Sequence, residues 1–209
     1  MQFLTAYQNA DYAARYRAVV ERATAAEAPT GKCGFAEAVA RYLFKLMAYK
    51  DEYEVARLYT DGTFLRQLHN TFEGDMKLEF HLAPPLFAPR DRITGLPRKL
   101  SFGGWIVPVF RGLAKLKFLR GTTLDPFGYT QERRTERKLI RDYQTMLNEI
   151  MPRLTPDNHH LATGLAAIPE KIRGFGHVKA RHLTTAKAEE AALLEQFRSG
   201  APALLNAAE

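Results

Sequence analysis

Among its 209 residues the chain has one cysteine, Cys33. A single thiol excludes an internal disulfide framework, and it equally excludes the cysteine sets that hold iron–sulfur clusters or Cys-based zinc. Cys33 stands in the turn-like stretch PTGKCG with neither a helix start upstream nor an evident base beside it, so it reads as a plain thiol rather than a nucleophile. Long apolar runs are also missing: none approaches the roughly 18 to 20 residues needed to cross a bilayer. The opening MQFLTAYQNADYAARYR lacks the basic start and apolar stretch of a secretory signal, and a cytoplasmic protein with no membrane partner is the expectation. The histidines His69, His81, His159, His160, His177 and His182 show none of the helical spacing of a zinc site. His177 and His182, five apart, fall on different faces of a helix. No metal site, cofactor-binding residue or catalytic residue is assigned.

What the chain does contain is an ordinary globular composition, 46% hydrophobic and 25% charged, with a net charge of +7. The charge is concentrated. Residues 90–141 hold 13 Lys/Arg against 4 Asp/Glu, a balance of +9 that exceeds the whole chain's, so the flanks are slightly acidic. The same stretch has the densest glycine and proline punctuation. A cationic region of this kind on a near-neutral body reads as a docking surface for something acidic, because long-range attraction speeds and orients encounter.

Apolar periodicity predicts a mainly α protein with long structured loops and a small β element near 76–82. One mainly helical domain is expected over 1–199: a helical pair (3–61), a motif-rich centre (62–128) and C-terminal helices (129–199), with 200–209 a frayed tail. Within the pair, one helix is expected over 3–28 and one over 35–60, antiparallel and separated by the break at Pro29–Gly34. Phe64, Leu68 and Phe72 suggest a short third helix. Met76, Leu78, Phe80 and Leu82 alternate with Lys77, Glu79 and His81, a strand pattern that stops at Pro84-Pro85. No equally clear second strand is visible, so the partner must come from a loop, from another chain or from a missing domain. Residues 84–104 read as a structured loop, 105–119 as a helix with Pro108 in its first turn, and 130–151 as a strongly amphipathic helix. Thr155-Pro156 reads as an N-cap and first helical residue, and a last helix is expected over 178–197.

Three constellations invite chemistry. Asp51, Glu52 and Glu54 could be acid/base carboxylates, but pairing with Lys50 and Arg57 is the simpler account. Gly174-Phe175-Gly176 could cradle an anion at a helix start, flanked by Arg173, Lys179 and Arg181, although a tight turn explains it as well. In DPFGYTQERRTERK a rigid turn leads into Arg133, Arg134, Arg137 and Arg141 on successive helical turns. Those arginines serve either docking or internal pairs with residues such as Glu132 and Glu136. Nucleic-acid binding is disfavoured, because the chain has no helix-turn-helix, zinc finger or aromatic sheet platform.

Four longer motifs, YLFKLMAYKDEYEVARLYTDG (42–62), FEGDMKLEFHLAPPLFAPRD (72–91), LRGTTLDPFGYTQERRTERKLI (119–140) and IPEKIRGFGHVK (168–179), occur in the order seen in a known family. Together with the FLTAYQNADYAARY start, they make nearly the whole chain resemble the C-terminal region of the large, fused bacterial indolepyruvate ferredoxin oxidoreductases. The resemblance implies, for a complete enzyme, oxidative decarboxylation of aryl 2-oxo acids to acyl-CoA with thiamine diphosphate, iron–sulfur clusters and an external electron acceptor. Those cofactors belong to upstream domains. The present sequence has no thiamine-binding motif and, with Cys33 alone, cannot ligate a cluster, so no catalytic residue of the family transfers. The expectation is therefore a non-catalytic domain, excised or detached, whose partners are the catalytic domains of the same oxidoreductase. An acidic electron carrier such as a ferredoxin, or a second copy in a homodimer, is a further candidate partner. A free module binding CoA or phosphate is the alternative.

Overall fold

The computed structural model describes residues 1–74, 77–83, 89, 98–174 and 176–200. Met76, Arg90, the remainder of the proline-rich stretch between Pro84 and Pro97, Phe175, the side chain of His177 and the tail 201–209 lie outside the described residues. The fold is mainly α with one small antiparallel sheet, as the periodicity predicts. Residues read above as one domain in three segments gather their contacts into two units that do not follow those segments.

One unit comprises Met1–Thr5, Asn9–Tyr49 and the chain from Glu136 onward. Its helices are α2 (Ala10–Glu27), α3 (Phe35–Met47), most of α7 (Gln131–Ile150), α8 (His159–Ala167) and α9 (Gly176–Ser199), preceded by the start of α1 (Gln2–Tyr7). The single helix expected over 3–28 is broken, because Asn9 takes an extended conformation and its side chain accepts the Tyr12 N–H at 2.8 Å. Local capping by Asn beats continuation of the helix there. The expected partnership of α2 and α3 holds, and it is antiparallel: Tyr12 and Tyr16, early in α2, donate to the carbonyls of Met47 and Ala40 in α3. Phe35, Val39, Leu43 and Met47, one helical face of α3, are fully buried. They meet Leu139, Tyr143, Leu147 and Ile150 of α7 and Leu161 and Leu165 of α8 in one core. Helix α8 begins later than Thr155-Pro156 suggests. Asn158 Oδ1 accepts the Thr155 N–H at 2.8 Å and its amide donates to Arg153 O at 2.8 Å, so the turn is spent before His159 starts the helix.

Glu27 organises this unit. Gly34, before α3, has no side chain with which to cap the helix. The carboxylate of Glu27 arrives from the end of α2 and accepts the N–H groups of Phe35 (2.6 Å) and Ala36 (3.1 Å). Its Oε1 also accepts from Nε2 of the buried His159 at 2.7 Å, which ties in the start of α8. Burial pushes the Glu27 carboxyl upward, but the His159 bond and the two amides outweigh it and leave it below the ordinary glutamate range. A lowered carboxyl contributes stability that is present above its unfolded value and is lost as pH falls through the folded one. Glu27→Gln is therefore expected to cost about 1–3 kcal/mol at pH 7. The deficit should narrow as pH falls below about 4. Urea unfolding at a series of pH values checks both.

The other unit comprises Ala6–Gln8 and Lys50–Thr135. The helix expected over 35–60 does not run through: Asp51 caps a new helix, α4 (Glu52–Thr60), by accepting the Glu54 N–H at 2.8 Å. Next comes α5 (Thr63–Thr71), at the expected position of the third helix. Strand β1 (Glu79–Leu82) finds its partner in the stretch read as loop, β2 (Leu100–Gly103), with Phe80 opposite Phe102 and Leu82 opposite Leu100. Phe80 faces inward, whereas Glu79 and His81 face out, as the alternation requires. Helix α6 (Val107–Lys115) carries Pro108 in its first turn. Tyr59 of α4 stacks on Phe110 of α6 at 5.7 Å and meets Phe64 and Phe80 edge-on at 5.1 and 5.0 Å, which forms the aromatic centre of this unit.

The Asp125-Pro126-Phe127-Gly128 turn is built around a buried carboxylate. Asp125 accepts from Tyr53 Oη (3.0 Å), the Gly121 N–H (2.9 Å) and the Phe127 N–H (3.1 Å). A β-carbon on Gly128 would lie 2.7 Å from Asp125 Oδ2 and 2.9 Å from its Cγ, closer than van der Waals contact allows. Gly128→Ala is expected to cost about 1–3 kcal/mol, because relieving the clash moves a fully bonded buried carboxylate. Gly112→Ala in α6, where a β-carbon meets nothing within 4 Å, should instead be neutral or stabilising by up to about 1 kcal/mol. Guanidinium denaturation of both variants gives the comparison.

Candidate functional site

The second unit concentrates the unusual chemistry of the chain, and Arg120 lies at its centre. The Arg120 guanidinium makes a bidentate pair with Asp51 (2.5 and 2.9 Å) and donates to Tyr7 O (2.6 Å) and Gln8 Oε1 (2.7 Å). It also stacks over the Tyr7 ring at 3.8 Å. Both charged side chains are almost fully buried. Since every strong donor direction is engaged, this is a structural pair holding Ala6–Gln8 and the start of α4 to the turn after Leu119. Arg120 is absent from the sequence-derived candidates, and the only hint of its role is that it stands just before the Gly121 turn. Nearby, Lys117 donates to Ala6 O at 2.5 Å; burial first, and then the charges of Arg57 and Arg120, hold its ammonium below the usual lysine range.

The three acidic residues singled out in the sequence separate by role. Glu54, fully buried, forms a bidentate pair with Arg57 (2.7 and 2.8 Å), and Asp51 pairs with Arg120 rather than Lys50. Glu52 differs. Its Oε2 is buried without a hydrogen-bond partner among the described residues, and the nearest cation, Arg133 Nε, stands 3.9 Å away. Burial raises its carboxyl above the ordinary range, Arg133 opposes the rise, and the charges of Asp51 and Glu132 add to it.

Glu52 borders an open, apolar groove of about 730 Å³. One wall is Val109, Phe110, Leu113 and Leu116 from α6 and the turn after it; the other is Leu82, Leu100 and Phe102 from the two strands. Val55, Ile106 and Phe127 contribute apolar surface between them, and Lys50, Asp51 and Glu52 form the polar end. The groove carries exposed apolar surface: Val109 is 54% exposed, and Trp105, packed edge-on against Phe102 at 5.8 Å, is 66% exposed.

The arginines proposed for docking divide as well. Arg133 is buried, donates to Lys50 O at 3.1 Å and pairs with Glu132 at 3.2 Å, so it serves the fold. Arg134 is exposed. In the other unit Arg141 and Arg181 are exposed, Arg137 is half-buried, Lys179 pairs with buried Glu136, and Arg173 pairs with Glu170 at 3.4 Å. Gly174 there has a left-handed φ of +86°, as a tight turn requires. Among the described residues, no group of three or more His, Cys, Asp or Glu side chains is placed to hold a metal ion, and Cys33 is exposed. No described helix is long and apolar enough to cross a membrane.

Fold and site together define a mainly α protein whose distinctive surface is an open apolar groove. The family model described as Family of unknown function (DUF6537) matches residues 1–192, and the chain belongs to that family. No curated protein and no solved structure matched the chain.

A raised carboxyl makes its own prediction. Deprotonating Glu52 is harder in the folded state than in the unfolded one, so wild type loses stability relative to a neutral variant as pH rises past about 4.3. Glu52→Gln should match wild type in thermal unfolding at pH 3 and exceed it at pH 7.

Proposed function

We propose that the chain is a non-catalytic C-terminal domain of an enzyme resembling the indolepyruvate ferredoxin oxidoreductases, and that it serves assembly or docking. The observation that carries this reading is the exposed apolar groove, which suits binding a protein, and among the described residues no metal-ligating cluster accompanies it. The resemblance of the four motifs supplies the enzyme class: a complete protein oxidising aryl 2-oxo acids to acyl-CoA. A lone exposed thiol does not fit an iron–sulfur cluster, so on this reading clusters and thiamine diphosphate are held by other domains. The catalytic domains of the same enzyme and an acidic electron carrier are the partners proposed, in the cytoplasm.

Binding of CoA or phosphate as a free module has less support. Lys179 and Arg173 are engaged by Glu136 and Glu170, which leaves Arg181 as the exposed cation of that group. Lys45, beside them, donates to the carbonyls of Pro169 (2.7 Å) and Glu170 (3.1 Å) and is likewise committed.

The isolated chain, incubated with an aryl 2-oxo acid, CoA, thiamine diphosphate and an electron acceptor, is expected to show no turnover. Added to an oxidoreductase of this class truncated of the matching region, it should restore assembly or electron delivery. Turnover by the chain alone, or failure to associate with the truncated enzyme, refutes the proposal.

A further inference from the structure

The groove lies wholly within one unit, and its polarity is confined to one end. Ile106 and Phe110 are buried at its floor, while Val109 and Leu116 stand exposed at its lip. Away from Lys50, Asp51 and Glu52 the described lining is aliphatic or aromatic throughout. The volume of about 730 Å³ far exceeds what an ion or a water needs, and it falls within the ~300–1,000 Å³ of small-molecule sites. At the polar end Asp51 is spent, because its carboxylate takes both the Arg120 guanidinium and the Glu54 amide. Glu52 keeps spare capacity. Its Oε2 has no hydrogen-bond partner among the described residues, and its side chain retains 17% exposure, so rotation about the last side-chain bond can bring that oxygen to the groove. The charges around this end cancel: Lys50, Arg120 and Arg133 stand against Asp51, Glu52 and Glu132.

We propose that the groove binds an elongated, uncharged apolar small molecule whose one polar head, a hydroxyl or primary amide, donates a hydrogen bond to Glu52. The apolar body lies between α6 and the two strands, and the head reaches the end where α4 begins. The sign of the head follows from the lining. A carboxylate would face Asp51 and Glu52, and an ammonium would face Lys50 and Arg133, so an ion of either sign is desolvated without a free counter-charge. A neutral donor instead answers the one acceptor left without a partner. The upward push that burial gives the Glu52 carboxyl agrees with an oxygen poorly served by water. Polarity at one end alone also favours a small molecule over an extended peptide, whose backbone N–H and C=O groups would lie along an apolar length with no side chain to answer them. The inference rests on neither the docking role nor the oxidoreductase class.

The test uses the full 209-residue chain, whose one tryptophan, Trp105, packs against the groove residue Phe102 and so reports occupancy through its emission. Decanol is titrated below its solubility limit, beside decyl methyl ether, decanoate and decylammonium. Decanol should bind most tightly, at least about fivefold more so than the ether that lacks a donor, and its affinity should not fall as salt rises. Glu52→Leu removes the acceptor and should bring decanol and the ether within about twofold of each other, a change in ratio that a general loosening of the fold does not produce. Val109→Asp, which sets a charge on the wall at an exposed position, should weaken every member of the series at least about tenfold. Circular dichroism checks that both variants keep the wild-type fold, and the head-group and salt series need no variant at all. Binding of decanoate or decylammonium as tight as that of decanol, or equal binding of decanol and the ether to wild type, overturns the proposal. So does the absence of decanol binding, even where an apolar helical peptide binds, which would assign the groove to protein docking alone. Decanol binding together with failure to associate with the truncated oxidoreductase leaves the ligand site standing and removes the enzyme class.

Discussion

A carboxylate taken out of water must be given back its hydrogen bonds, and both units of this protein are organised by that requirement. At three turns of the chain a buried acid accepts amides that the turn exposes and is matched on its other side by a donor from a distant segment. Glu27 accepts two amides at the start of α3 and is matched by His159. Asp51 accepts the Glu54 amide and is matched by Arg120; Asp125 accepts the Gly121 and Phe127 amides and is matched by the Tyr53 hydroxyl. The same interaction thus solves two problems: it satisfies orphan N–H groups at a chain break, and it fixes which remote segment packs there. Removing the acid would leave a cation or hydroxyl and one or two amides without partners at once, so each such site is more consequential than an ordinary surface ion pair.

This arrangement also sorts the positive charge. Within the basic centre, Arg120 and Arg133 are buried and bonded inward, Lys117 reaches a backbone carbonyl, and Lys138 is neutralised by Asp142. Net charge alone gives a strongly cationic stretch but cannot tell an arginine that cements the interior from one that faces solvent. With the interior arginines removed from the count, the outward charge moves from the DPFGYTQERRTER segment toward α6 and the approach to β2. The apolar groove lined by Val109, Leu113, Leu116, Leu100 and Phe102 uses the same two elements.

Much of the fold was legible because helices with a single buried face write that face into the sequence. Helix α7, with Leu139, Tyr143, Leu147 and Ile150 inward, falls within a residue of its expected bounds, and Pro108 marks the start of α6 as predicted. The missed breaks at Asn9 and Asp51 share a cause: the apolar period continues across them, while the capping side chain that interrupts the helix looks like one polar residue among many. The second strand was hidden because Leu-Ser-Phe-Gly offers a single alternation, too short to signal by itself. Of the site, the concentration of charge was visible, but the groove was not. Its walls come from α4, two strands and α6, so no local pattern contains it. The raised carboxyl of Glu52 was equally hidden, since Asp51, Glu52 and Glu54 are indistinguishable as letters and differ only in what surrounds them.

An exposed groove of this kind is costly to a chain on its own. Exposed apolar side chains such as Val109 and the neighbouring Trp105 gain nothing from water. A partner that covers the apolar wall relieves that cost. The rigid turns of the flanking motifs then have a purpose beyond stability. With Asp125 and Arg120 fixing the ends of the surrounding segments, the groove walls are held in place before the partner arrives, and less conformational freedom remains to be lost on binding.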